Sequence, residues 1–108
     1  MKTIVVTTDE VPGFKITRQI GVVWASSSRS KSILTDFAEV VRSIFGGELH
    51  SYERMLNHAR LDVLNQLSDE AAKKGANAVV GIRFGSTQIL PATVDIFAYG
   101  TAVVVKKS

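Results

Sequence analysis

Apolar and polar residues alternate between two rhythms along this chain. Residues 3–8, TIVVTT, are β-branched and predict a strand, which DEVPG breaks. A longer strand is predicted over 14–26, FKITRQIGVVWAS, with Gly21 marking a bend or bulge. After the polar run SSSRSKS, Ile33, Leu34, Phe37, Val40, Val41, Ile44 and Phe45 recur at three- and four-residue spacing. That rhythm predicts a short helix, ended by Gly46 and Gly47. The clearest element is a long helix over 51–74. Ser51 is its expected N-cap, and Glu53 and Arg54 fall in its first turn. Tyr52, Met55, Leu56, Ala59, Val63, Leu67 and Ala71 share one face, which Leu61, Leu64 and Ala72 broaden. Lys73 and Lys74 oppose the negative end of the helix dipole, and Gly75 takes the left-handed position that follows.

The rhythm then changes to two. In ANAVVGIRF, Ala76, Ala78, Val80, Ile82 and Phe84 are expected on one face, with Asn77, Val79, Gly81 and Arg83 on the other. GSTQILPAT, residues 85–93, reads as a connecting loop. The last predicted strand is VDIFAYGTAVVV, 94–105. Val94, Ile96, Ala98, Gly100, Ala102 and Val104 alternate there with Asp95, Phe97, Tyr99, Thr101, Val103 and Val105. Both faces of this terminal hairpin carry large apolar residues, and one helix covers only one face of a small sheet. The other must meet the short helix, the N-terminal strand or another subunit, because monomers rarely expose a large apolar patch. Self-association is the expectation.

Composition narrows the chemistry. A chain of 108 residues predicts one domain, 1–108. It has no cysteine, which excludes disulfides, thiolate metal sites and cysteine nucleophiles, and fits a reducing, cytoplasmic compartment. No signal peptide and no run long enough to span a membrane is read. The net charge is +3, and the basic residues are scattered along the chain. Scatter of that kind reads as a solvated surface, which makes nucleic acid an unlikely partner.

Several spaced motifs follow one another in order: Gly46 and Gly47, Tyr52 and Glu53, Ala59 and Arg60, then Gly75, Ala76, Ala78, Val79, Val80 and Gly81, and last Gly100, Thr101, Ala102 and Val103. With GVVWASS at 21–27, this pattern resembles the YbjQ-like family, named for heavy-metal binding, over nearly the whole chain. Where many members carry Arg-Ser after the Gly-Gly, this chain has Glu48, Leu49 and His50. The resemblance implies an α+β fold: a two-layer α/β sandwich whose small, mostly antiparallel sheet packs against one long and one short helix. It also implies a subunit of a ring-shaped homopentamer.

The candidate site residues each carry two readings. His58 and Asp62 lie four apart on one helical face, and His50 two turns earlier. A histidine–carboxylate set of this kind suits a divalent transition metal such as zinc, nickel or copper. The plainer reading is a solvated helix face. Glu53 and Arg60 lie two turns apart on one side of the helix. Structural or subunit-boundary pairing is favoured there over Arg60 holding an anionic ligand, with Tyr52 packed on the sheet. Arg83, Asp95 and Tyr99 come from adjacent strands and form either a cross-strand pair or the polar lining of a cleft. Ser26, Ser27 and Ser28 suggest a nucleophile, yet no histidine stands in a partner context, and the glycines form no phosphate loop. No catalytic constellation is read. The expectation is a ring-forming binding protein for a metal or small ligand, without catalysis. The alternative is an interaction module whose ring displays sites for a protein partner.

Overall fold

The computed structural model describes residues 3–29, 49–90 and 93–108. Its elements are β1 (Ile4–Val5), β2 (Phe14–Ser26), a 3-10 turn (Ser27–Arg29), α1 (Leu49–Lys73), β3 (Ala78–Leu90) and β4 (Thr93–Lys107). The strands form one sheet in the order β1-β3-β4-β2. β1 runs parallel to β3, and the other two pairings are antiparallel. This is the expected α+β class with a mostly antiparallel sheet. The short helix predicted over 33–47 lies outside the described residues. The longest dimension, 53 Å, matches the roughly 50 Å that the 15 residues of β4 span when extended.

Two readings of the terminal hairpin need correction. Of the residues 85–93 read as a connecting loop, 85–90 and 93 are strand, and 91 and 92 lie outside the described residues. β3 continues through Leu90, which pairs with Thr93, and Ser86, Thr87 and Gln88 all find ladder partners on β4. Polar and glycine residues resemble a turn in sequence, but Gly85 has another task. A Cβ there would strike the Phe97 ring, which lies over it. The face assignment of ANAVVGIRF also fails, at Gly81. The register shifts between Val80↔Thr101 and Arg83↔Tyr99, so Gly81 and Ile82 together oppose Gly100. This β-bulge reverses the alternation. Ile82 therefore joins Val79 in the core beneath α1, while Ala78 and Val80 join Val11, Val103 and Val105 on the opposite face.

The bulge depends on Gly81, whose φ is +64°. It also turns the N-terminal run. β1 is only two residues long because the chain follows β3 around the bulge through individual bonds instead: Val6 N to Val79 O at 3.0 Å, Gly81 N to Thr8 O at 2.8 Å and Ile82 N to Val6 O at 3.2 Å. Space is not limiting at Gly81, since the nearest atom to an added Cβ is Asp9 Oδ1 at 3.8 Å. Gly81→Ala should therefore cost only its left-handed backbone, about 1–2 kcal/mol in denaturant unfolding. Gly81→Asn should cost less, because asparagine tolerates that region. Equal costs for the two would show that packing, not backbone, sets the requirement.

α1 covers one face of the sheet with a single ridge. Met55, Ala59, Val63, Leu67 and Ala71 are buried. Leu56 and Leu64 are half-buried beside them, whereas Leu61 is 62% exposed and Ala72 is exposed. The apolar stripe is thus narrower than the sequence suggested. Leu61 stands two residues from both Ala59 and Val63, which turns it toward the far side of the helix. Beneath the ridge lie small residues, Ala25, Ala98 and Ala102. Gly100 is among them by necessity: a Cβ there would come within 2.8 Å of Val79 Cγ1. α1 begins at Leu49, so Ser51 is inside the helix rather than its N-cap, and Glu53 lies beyond the first turn. Its other end is as expected. Ala76 N bonds Ala71 O and Gly75 N bonds Ala72 O, both at 3.0 Å, with φ +87° at Gly75. These are the paired bonds of a Schellman cap.

Candidate functional site

The sheet face away from α1 divides in two. Ile4, Val6, Val11 and Phe14 cover the half formed by Ala78, Val80, Val103 and Val105. Along the other half, directly opposed residues form a row across three strands, Trp24↔Tyr99↔Arg83, with the Val22↔Thr101 pair beside it. Trp24 is 58% exposed, Val22 56% and Tyr99 48%. Trp24 was not among the residues singled out in the sequence, although its two-residue spacing from Val22 placed both on one face.

Of the trio Arg83, Asp95 and Tyr99, the structure joins two. Arg83 and Tyr99 are a cross-strand pair. The guanidinium is already engaged, since Nη1 donates to Thr7 O at 2.8 Å and to Ile82 O at 2.9 Å. Arg83 thus ties the N-terminal segment to the bulge. Asp95 lies four residues along β4 from Tyr99, opposite Thr87, and does not complete a cleft with them.

Asp95 is instead the centre of a serine cluster. Its Oδ1 accepts from Ser26 Oγ at 2.9 Å, Ser27 Oγ at 3.0 Å and Ser28 N at 3.1 Å. Ser26 Oγ lies 3.2 Å from Oδ2 as well. Ser27 is buried, and its Oγ also accepts from Ile96 N at 3.0 Å. Gln66 extends the network from α1, donating to Ser26 O at 3.1 Å and to Asp62 Oδ2 at 2.7 Å. These bonds fix the 3-10 turn that leaves β2. They hold the Ser26 and Ser27 hydroxyls as donors to the Asp95 carboxylate, with no histidine among their described partners. The arrangement is a fastening, not a nucleophile site.

The remaining candidates lie on α1. Glu53, His58 and Arg60 are exposed and Asp62 is half-buried. Arg60 Nη1 donates to Asn57 Oδ1 at 2.8 Å, one turn away, and makes no ion pair with a described residue. Asp62 accepts from Gln66. The side chains of His50 and Tyr52 lie outside the described residues. Among the described residues, no three histidine, aspartate or glutamate side chains come together as a metal site would require. The described residues by themselves therefore do not form a heavy-metal site. Among them, too, no helix is long and apolar enough to cross a membrane.

A family model described as "Putative heavy-metal-binding" matches residues 3–106. A UPF0145 protein from Fervidobacterium nodosum is 44% identical over 104 residues, 96% of each chain. Another from Methanoregula boonei is 42% identical over 103 residues, covering 95% of this chain and 86% of that one. A crystal structure of a protein with unknown function from Pediococcus pentosaceus, assigned to the DUF74 family, covers 96% of this chain and 98% of its own. Its TM-score is 0.59 at 14% identity, which is a likeness of fold. With motifs, family model and relatives agreeing over nearly the whole length, the chain belongs to the YbjQ family of UPF0145 proteins.

Proposed function

We propose that this protein is a cytoplasmic, non-enzymatic binding protein that works as a ring-shaped homopentamer. The observation that carries the self-assembly is the exposed row of Val22, Trp24 and Tyr99 on a sheet face already half covered by its own N-terminal segment. A face of this kind is stable when a second copy covers it. Sheet edges support the same reading. Among the described residues β2 is an edge strand of 13 residues, and the outer side of β3 is bonded to the N-terminal segment only as far as Ile82. Unpaired edges of this length favour pairing with another chain. The two edges differ, so joining one to the other is head-to-tail, a contact that closes into a ring when the rotation between copies completes a full turn. The number five comes from the family pattern.

The ligand is a divalent transition metal or a small molecule held between copies. The candidate donors are His50, His58 and Asp62; the described residues of one subunit gather no set of three by themselves, which favours donors shared between copies. Native mass spectrometry of untagged protein, before and after a panel of divalent metals, tests both parts. A pentamer taking one ion per ring or per subunit is expected. A monomer at micromolar concentration overturns the ring. A pentamer that stays bare with every metal overturns the metal reading and leaves a module that displays sites for a protein partner. Trp24→Glu should weaken assembly at least tenfold, a loss of about 1.4 kcal/mol. A variant that assembles like the parent would place the contact elsewhere.

A further inference from the structure

The basic residues that are scattered in sequence are not scattered in space. Lys15 and Lys106 are direct partners across the antiparallel β2–β4 ladder. Arg18 lies three residues along β2, opposite Val104, on the same face by alternation. Its Nη2 stands 3.9 Å from where a Cβ on Gly75 would be, beside the C-terminus of α1. Lys73 and Lys74 occupy that terminus. Three distant segments thus place five cations at one end of the molecule, all on exposed residues, with Lys107 on the other face of the same end. Among the described residues only Lys73 has an acidic partner, Glu70 at 3.7 Å.

Two features show that this end serves more than the fold. Side chains opposed in an antiparallel pair stand about 5 Å apart, and like charges there are destabilising. The Lys15–Lys106 pair forms no salt bridge with a described residue to offset that cost. Rules broken locally without structural return mark functional sites. Second, the four unpaired cations, Lys15, Arg18, Lys74 and Lys106, project from two strand ends and a helix end. They face outward and do not enclose a small anion. An outward row of charges addresses an extended polyanion.

We propose that this end of the sheet binds nucleic acid through its phosphate backbone, independently of base sequence. Lysine and arginine contacts of this kind release condensed counterions, so affinity falls linearly with salt on logarithmic axes. Four contacts predict a slope of about −3 to −4.

The test is fluorescence anisotropy of the untagged protein with labelled 20-nucleotide single- and double-stranded DNA across a salt series. Binding with that slope is expected, with little difference between unrelated sequences. Lys15→Ala and Lys106→Ala should each weaken binding several-fold and reduce the slope by about 1. Arg54→Ala, an exposed cation elsewhere on α1, should leave both unchanged. The melting temperature of each lysine variant should be unchanged or raised, because like-charge repulsion is relieved. A variant that lost binding by unfolding would show a lowered one. Absence of salt-dependent binding overturns the proposal. So does equal loss in Arg54→Ala, or binding to anionic phospholipid vesicles or polyglutamate without binding to DNA.

Discussion

Leu67→Ala should lower the unfolding free energy by about 4 kcal/mol, the larger of the two main stability effects expected here. Leu67 is fully buried at the centre of the α1 ridge. Truncating a buried leucine costs the lost transfer energy plus a cavity term, and the cavity term depends on whether neighbours can collapse. Here they cannot easily do so. The same core contains Ala59 and Ala71 on the helix and Ala25, Ala98 and Ala102 on the sheet, which have no rotamers to swing inward. The value should therefore lie in the upper part of the range of about 2–5 kcal/mol. Leu61→Ala, at a side chain 62% exposed on the same helix, should cost less than about 0.5 kcal/mol. Denaturant unfolding of both at one protomer concentration measures the contrast, since assembly adds to apparent stability. A cost below about 1 kcal/mol for Leu67→Ala would mean that the sheet shifts to refill the core.

The second large effect is expected at Asp95. Asp95→Ala should cost about 2–3 kcal/mol, because it removes the shared acceptor of Ser26, Ser27 and the Ser28 amide. Most of the penalty falls on Ser27, whose buried hydroxyl loses the group it donates to while still accepting from Ile96 N. Asp95→Asn keeps the shape and one acceptor oxygen, so about half the loss should return. Hydrogen exchange separates this account from general destabilisation. The Ser28 amide should lose protection in Asp95→Ala under native conditions, while amides in the β2–β4 ladder keep theirs. Uniform loss of protection would show instead that Asp95 supports the sheet as a whole.

What could be read from the sequence was local. The Schellman cap followed from two lysines and a glycine after a helical rhythm, because the requirement for a left-handed residue belongs to the backbone at that position. The bounds of β2 followed from its flanking turn and serine run, and the core ridge of α1 from spacing alone. The start of α1 did not follow, because Ser51 carries a capping side chain whether or not the helix uses it. Nor did the second half of β3, where Gly85, Ser86 and Thr87 resemble a turn until β4 supplies their partners. A propensity is a weak prior when the deciding bonds come from a strand far along the chain.

The sites show the same division. Spacing along one helix assigned His58 and Asp62 to one face, yet it could not reveal that Asp62 accepts a hydrogen bond from Gln66. The pairing of Arg83 with Tyr99 is set by the Gly81 bulge, which shifts the register by one residue, whereas Asp95 is kept apart by four residues of the same strand, β4. Trp24 became visible as part of an exposed row only once β2, β4 and β3 were aligned. The sequence by itself determined the family, the element types of the described residues outside 85–90, and which residues can end or bend them. Tertiary structure decided which faces those residues share, because cross-strand register joins positions 15 with 106 and 24 with 99, and nothing local in the chain encodes that distance.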